Sequence, residues 1–205
     1  SDGVTVYYRA DFEKGNGGFS GSKRMSQELV EGGAAGRALR TKCLEKWAGP
    51  RLKVDIEGSE GLKMAFLAKG EGFDRATLNV YDEAQDDNTT PYAYRWLPDG
   101  RWTPVLYRLD RFRYNSRRTG FVRPDTKYSE LRFFGPEPKG RPVALTLDNF
   151  VIYRGEDRSP PGAVSGLRAK ATEHGVLLHW APAPDNVAPM LFVVSRAGSD
   201  GTFRK

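Results

Sequence analysis

The feature that most constrains this fold is the alternation of apolar and polar residues with a period of two. In Arg51–Glu57 apolar residues alternate strictly with charged ones, and Asp74–Asp82 repeats the pattern. Successive side chains of a strand point to opposite faces of a sheet, so this alternation is typical of strands with one buried face. No long stretch has a convincing helical period. The chain is therefore predicted to be all-β.

Turn signals separate about nine such segments in the first 155 residues. The 23 glycines and 13 prolines supply these turns. Pro98-Asp99-Gly100-Arg101, between Tyr92–Leu97 and Trp102–Leu109, predicts a hairpin turn because it contains an Asp-Gly step. Many short strands without an internal repeat predict a jelly-roll β-sandwich over residues 1–155.

A polar, proline-rich segment follows this body. Pro160-Pro161 cannot occupy a central strand, so we predict a linker at 156–162 and a second β unit at 163–205. The C-terminal part of the chain resembles the first half of a fibronectin type III domain in Pro160–Leu167, Gly175–Trp180, Pro184-Asp185-Asn186 and Phe192–Arg196. The resemblance implies a partial fibronectin type III unit that ends before its second half, and hence a longer parent protein.

The motifs of common enzyme classes are missing from the sequence. Both histidines, His174 and His179, lie near the C-terminus, so the body has none for a Ser-His-Asp set. No nucleophile elbow, zinc-protease helix or phosphate loop is present. The single Cys43 excludes an internal disulfide and a cysteine zinc cluster. We predict a non-catalytic protein, although a lyase using tyrosine with arginine or lysine stays open.

Four short motifs in the body resemble galactose-binding-like jelly-roll carbohydrate-binding modules. They are Asp11-Phe12-Glu13 with the glycines after it, Gly32–Leu39, Arg101–Val105 and Leu147–Tyr153. The resemblance implies a carbohydrate-binding module of a secreted or cell-surface polysaccharide-active protein, with a catalytic domain in the same parent chain. Fibronectin type III units often accompany such modules in bacterial polysaccharide-degrading enzymes.

The same resemblance implies a structural calcium ion. In that family the first and last strands lie side by side, so their acidic residues meet. Asp11, Glu13 and Asp148 are the implied ligands, with carbonyl groups from Gly33–Gly36, because calcium takes several oxygen ligands. The alternative is that Asp11 and Glu13 are ordinary edge charges and that Asp148 caps a turn.

Sugars are held by aromatic rings against their CH faces and by polar side chains at their hydroxyl groups. The alternation in Asp74–Asp82 indicates which of these side chains face the solvent. With Leu78 in the core, Arg75, Asn79 and Tyr81 face outward and belong to the predicted sugar-binding surface.

The register of the next strand, Tyr92–Leu97, can be read in two ways. If Tyr92, Tyr94 and Trp96 lie in the core, Arg95 faces outward. The opposite register exposes the three aromatic residues as a platform and buries Arg95. Because burying an unpaired arginine is costly, we favour the register that exposes Arg95.

Three further residues complete the predicted surface. Arg108 faces outward when Tyr107 faces the core, and Arg132 joins the same row. Trp47, in the loop Glu45–Pro50, is either a stacking residue or a lid over the core. Because arginine binds carboxylate and sulfate groups bidentately, the predicted partner is a polysaccharide, with an acidic or sulfated one favoured.

Two rival functions remain. The net charge of +6 and the run Arg111–Arg118, in which aromatic residues alternate with arginines, are compatible with nucleic-acid binding. We rank this below glycan binding because acidic residues elsewhere dilute the charge. The other rival is a spacer or docking domain of a large extracellular enzyme, with no ligand of its own. No apolar run is long enough for a membrane span, so no membrane partner is predicted.

Overall fold

The computed structural model describes residues 3–34, 36–81, 91–114, 122–158, 160, 162–173 and 175–181. Within them the chain forms fourteen β-strands and one short 3-10 turn, Leu109–Arg111, with no α-helix. The all-β prediction is confirmed. The strands in chain order are β1 (Thr5–Ala10), β2 (Phe19–Ser20), β3 (Met25–Gly33), β4 (Gly36–Cys43), β5 (Arg51–Glu57), β6 (Leu62–Glu71), β7 (Arg75–Tyr81), β8 (Pro91–Trp96), β9 (Thr103–Arg108), β10 (Arg113–Tyr114), β11 (Lys127–Phe134), β12 (Ala144–Arg154), β13 (Ser165–Thr172) and β14 (Gly175–Ala181).

The first twelve strands form two antiparallel sheets. Sheet 1 has the order β3-β4-β12-β6-β9, and β1 pairs with the second half of β12. Sheet 2 has the order β10-β8-β7-β11-β5-β2. The chain passes repeatedly from one sheet to the other, so consecutive strands are often not paired. This arrangement is the jelly-roll β-sandwich predicted for the body.

The central strand β12 changes partner halfway along its length. Ala144–Leu147 pairs with β4, whereas Phe150–Arg154 pairs with β1. Between the two halves the ladder to β6 shifts, and Asn149 has a φ of 48°. The first and last strands of the sandwich are therefore neighbours, as the resemblance implied.

The core lies between the sheets and is rich in phenylalanine. Phe66 of sheet 1 stacks on Phe150 at 5.2 Å between ring centroids and meets Phe133 of sheet 2 edge-on at 5.4 Å. Phe19 also packs edge-on against Phe150, at 5.2 Å. All four rings are buried, and each contributes roughly 1.5–3 kcal/mol through removal of apolar surface from water.

The predicted hairpin at Pro98–Arg101 is wrong. A turn does occur there, but β8 belongs to sheet 2 and β9 to sheet 1. The turn is instead tied to the end of β6 and the residues after it: Gly100 N donates to Gly70 O at 2.7 Å, and Gly72 N donates to Asp99 Oδ1 at 3.0 Å. An Asp-Gly step specifies a tight turn but not which strand the next segment joins.

Beyond the sandwich, β13 and β14 form a two-stranded antiparallel hairpin. All residues of β13 are exposed, and so are Val176 and Leu177 of β14. The third strand expected for the fibronectin type III unit lies outside the described residues. The division at 155 and 163 and the fibronectin assignment therefore stay predictions. Within the described part of the chain, no helix is long and apolar enough to cross a membrane.

Candidate functional site

The outer face of sheet 2 carries most of the predicted sugar-binding residues. On β7, Ala76, Leu78 and Val80 are buried in the core, so Arg75, Thr77, Asn79 and Tyr81 lie on the outer face. On β8, Trp96 is directly opposite Arg75, Tyr94 opposite Thr77, and Tyr92 opposite Asn79. Residues directly opposite each other share a face, so the three aromatic residues also lie on the outer face.

The favoured register of Tyr92–Leu97 is therefore wrong. Tyr94 and Trp96 are 49% and 59% exposed, and Arg95 lies opposite Ala76 on the other side of the strand. The cost expected for burying Arg95 does not arise, because Arg95 is near the end of β8 and stays exposed. Arg95 lies near the buried Tyr107: burial raises the pKa of Tyr107, and the charge of Arg95 partly opposes this rise. Because Tyr92, Tyr94 and Trp96 lie opposite residues of the outer face of β7, that face holds the aromatic platform and the β7 residues together.

An aromatic–arginine cluster forms one end of this face. The Arg75 guanidinium carbon lies 5.8 Å from the Tyr94 ring centroid and 5.5 Å from that of Trp96. The two rings are 5.9 Å apart and nearly perpendicular, at 82°. Arg75 is thereby positioned by cation–π contacts, and the Asp74 carboxylate is 3.9 Å from it.

Trp47 extends this end of the face from a neighbouring loop. Its backbone has a φ of 66°, and its N–H donates to Gly135 O at 3.0 Å. The residue is 61% exposed, and its ring meets Phe134 edge-on at 6.2 Å between centroids. It does not cover the core. Trp47, Arg75 and Phe134 line a groove of about 490 Å³, together with Lys46 and other residues.

The Trp47 loop is held tightly against the end of β11. Gly135 N donates to Ala48 O at 2.9 Å. A Cβ on Gly135 would lie 2.6 Å from Cys43 Sγ and 2.7 Å from Ala48 O, so this position has no room for a side chain. The tryptophan is presented by a fixed backbone.

Arg132 and Tyr81 lie at the other end of the outer face. The Arg132 guanidinium carbon is 4.1 Å from the Tyr81 ring centroid, and the same guanidinium pairs with Glu130. Tyr81 is only 8% exposed, and Arg132 lies over its ring. Arg132 is directly opposite Asn79 on β7 and Arg51 on β5.

Sequence reasoning missed Arg51. The alternation of Arg51–Glu57, with Leu52 buried, already indicated that Arg51 points to the outer face. What the alternation could not show is that Arg51 is the cross-strand neighbour of Arg132.

The structure does not bring Arg95 and Arg108 to this surface. Arg108 faces outward beside the buried Tyr107, as expected, but β9 belongs to sheet 1. Its guanidinium chelates Asp110, with Nε–Oδ1 3.2 Å and Nη2–Oδ2 2.8 Å. It lines a separate cleft of about 920 Å³ with Lys63, Arg154 and other residues.

The residues implied as calcium ligands lie around the point where β12 changes partner. Asp148 is fully buried, and its Oδ1 accepts a hydrogen bond from Asn149 N at 2.7 Å. Glu13 Oε1 accepts from Arg37 N at 3.0 Å, and Asp11 Oδ1 accepts from Glu13 N at 3.1 Å. Among the described residues, no three acidic, histidine or cysteine side chains converge as a metal-binding group. Ala35, in the implied carbonyl loop, lies outside them.

Comparison with known proteins identifies similar folds but no close relative. No family model matches the sequence, and no curated protein matches it. A family 11 carbohydrate-binding module from Clostridium thermocellum, in complex with a β-1,3-1,4-mixed-linked tetrasaccharide, has a TM-score of 0.55 at 16% identity, covering 74% of this chain and 96% of that one.

Two larger solved structures also contain this fold. The tandem family 22 modules of Paenibacillus barcinonensis Xyn10C have a TM-score of 0.52 at 18% identity, covering 82% of this chain and 52% of that one. The agarase AgWH50C has a TM-score of 0.52 at 14% identity, covering 78% of this chain and 25% of that one. The body of the chain has the β-sandwich jelly-roll fold of the family 11 and family 22 carbohydrate-binding modules.

Proposed function

We propose that the chain is a non-catalytic module that holds a polysaccharide on the outer face of sheet 2. The observation that carries the proposal is the cluster of exposed Tyr94, Trp96 and Trp47 around Arg75 and its groove. Large aromatic side chains exposed together on a sheet face mark an interaction surface. Tyrosine and tryptophan suit a sugar, because their rings pack against CH groups while their polar atoms remain hydrated.

The polar residues of the same face fit the hydroxyl and charged groups of a polysaccharide. Thr77 lies opposite Tyr94 of the aromatic cluster, Asn79 lies opposite Arg132, and both are partly accessible. Arg75 and Arg132 are each oriented by an aromatic ring, which lowers the entropy lost when they bind a ligand. We therefore favour an acidic or sulfated polysaccharide over a neutral one.

Similar folds support the setting of this proposal. One neighbour holds a tetrasaccharide, and another occurs within an agarase. By analogy, we place the module in a secreted polysaccharide-active protein that carries its catalytic domain elsewhere in the same chain.

A screen of polysaccharides tests the proposed function. Native gels containing mixed-linkage β-glucan, agarose, alginate or carrageenan should retard the protein in at least one case. Arg75→Ala should weaken that retardation, because the guanidinium orients Tyr94 and Trp96. Arg108→Ala is the matched control, since it removes an exposed arginine from the other sheet. Retardation that both variants weaken equally would reflect charge alone and would contradict the proposed surface.

The same screen separates the rival functions. No retardation in any gel would favour the spacer. Retention on DNA that falls steeply with salt, without retention on any glycan, would favour nucleic-acid binding. The basic run Arg111–Arg118 that motivated that rival lies partly outside the described residues.

We also propose that calcium ties the first strand of the sandwich to the last. The residues implied as ligands carry oxygen donors that suit a hard cation: Asp148 is a buried carboxylate, and the Glu13 carboxylate lies against Gly36, whose φ of 91° favours glycine. Melting temperatures in calcium and in EDTA test this, because a ligand that binds the folded state raises the melting temperature. Glu13→Gln should abolish the difference. Equal melting temperatures of the unsubstituted protein would overturn the calcium assignment.

A further inference from the structure

Two arginines stand directly opposite each other on the outer face of sheet 2. Arg51 of β5 is the register partner of Arg132 of β11. Directly opposed residues in an antiparallel pair have Cβ atoms about 4.5–5.5 Å apart, and like charges there destabilise the sheet. In the neighbouring cross-strand pair the charges are opposite, because Lys53 lies opposite Glu130.

The two arginines differ in how their charge is compensated. Arg132 is held by Glu130 and lies over the ring of Tyr81. Arg51 is half-buried, and its side chain has no ion pair or hydrogen bond within the part of the chain that the structure describes. Its neighbours in the same row are Ser20 on β2 and, beyond Arg132, Asn79 on β7. The row therefore presents excess positive charge flanked by neutral hydrogen-bonding groups.

We propose that Arg51 and Arg132 form an anion subsite that takes a carboxylate or sulfate ester of the bound polysaccharide. The inference rests on the proposed function and assigns its charge selectivity to one place. Guanidinium groups bind such oxyanions through paired hydrogen bonds, and an anion between the two arginines would remove their mutual repulsion. Arg51 then selects the ligand, although it touches none of the exposed aromatic rings.

The subsite lies apart from the aromatic cluster. The cross-strand row that contains Arg51 and Arg132 ends on β8 at Tyr92. Tyr92 is four residues from Trp96, which corresponds to about 13 Å along the strand. The aromatic rings and the two arginines would thus bind different sugar units of one polysaccharide. A polymer with the same backbone but without its charges would still stack on Trp96.

The experiment compares each charged polymer with its neutral form: carrageenan with desulfated carrageenan, and alginate with carboxyl-reduced alginate. Affinities are measured at about 0.15 M salt, which screens non-specific attraction beyond roughly 8 Å. Arg51→Gln should weaken binding of the charged polymer about tenfold or more, because hydrogen bonds to charged groups are the strong ones. It should leave the neutral polymer unaffected. Lys53→Gln, which removes the same charge from the same strand face, should change affinity less than about twofold.

The outcomes distinguish the subsite from the proposed function. If the charged and neutral forms bind equally and Arg51→Gln changes neither, the subsite is wrong and glycan binding stands. If no polymer binds, both fail. The melting temperature of ligand-free Arg51→Gln is a second readout: relief of repulsion predicts an equal or higher value. A clear decrease would mean that Arg51 is needed for the fold and would overturn the proposal.

Discussion

Replacement of Trp47 by glycine should give a more stable protein than replacement by alanine. Trp47 has a φ of 66°, in the left-handed region, where a residue with a Cβ loses roughly 1–2 kcal/mol. Both replacements remove the same indole ring, which is mostly exposed, so that loss cancels in the comparison. Glycine costs about 0.4–1 kcal/mol through the greater freedom of its unfolded chain. The balance therefore ranges from no difference to about 1.6 kcal/mol in favour of Trp47→Gly.

Urea denaturation of the two variants measures this difference, provided that the slopes of the transitions agree. Leu106 offers a matched control, since it is exposed on β9 and lies outside the left-handed region. At that position alanine should be the more stable by about 0.5–1 kcal/mol. If Trp47→Ala is clearly the more stable of the two variants, the left-handed backbone of the Trp47 loop is wrong. Both Trp47 variants should bind the polysaccharide more weakly than the unsubstituted protein, and to the same extent.

Two further predictions concern the core. Phe150→Ala should destabilise the fold by about 3–5 kcal/mol in urea denaturation, because Phe150 contacts Phe66, Phe19 and Phe133; a loss below about 1 kcal/mol would contradict this packing. Burial raises the pKa of Cys43 from 9.0 to about 11, so a thiol reagent at pH 8 should label only the unfolded protein. The buried, protonated thiol contributes fully to the free energy of unfolding below pH 9, and this contribution is lost as the pH rises towards 11. Rapid labelling of the native protein would contradict the burial.

The fold was largely predictable because its strands alternate cleanly. The alternation predicted that Leu52 and Leu78 face the core, and both are buried, so the inner faces of β5 and β7 were predicted correctly. In Tyr92–Leu97, by contrast, the alternating residues are aromatic, and aromatic residues suit a core and a sugar platform equally well. The rule against burying arginine then chose the wrong register, because Arg95 reaches solvent at the end of its strand.

The candidate site was harder to predict because it depends on which strands become neighbours. Arg108 faces outward as its own strand indicates, yet it lies on sheet 1 because the turn before it crosses between sheets. Arg51 and Arg132 are distant in sequence and adjacent only through the β5–β11 ladder. Local alternation decides the face of a residue, whereas tertiary pairing decides its companions.

The central claim is that a polysaccharide binds on the outer face of sheet 2. Calorimetric titration with the polymer that retards the protein in the screen tests this claim most directly. The double variant Tyr94→Ala/Trp96→Ala is compared with Leu106→Ala, which replaces an exposed apolar residue of sheet 1. Loss of two central aromatic contacts should weaken binding about thirtyfold or more, with the circular dichroism spectrum unchanged and Leu106→Ala near the unsubstituted affinity. If the double variant binds as tightly as the unsubstituted protein, the ligand lies elsewhere and the assignment of this face is wrong.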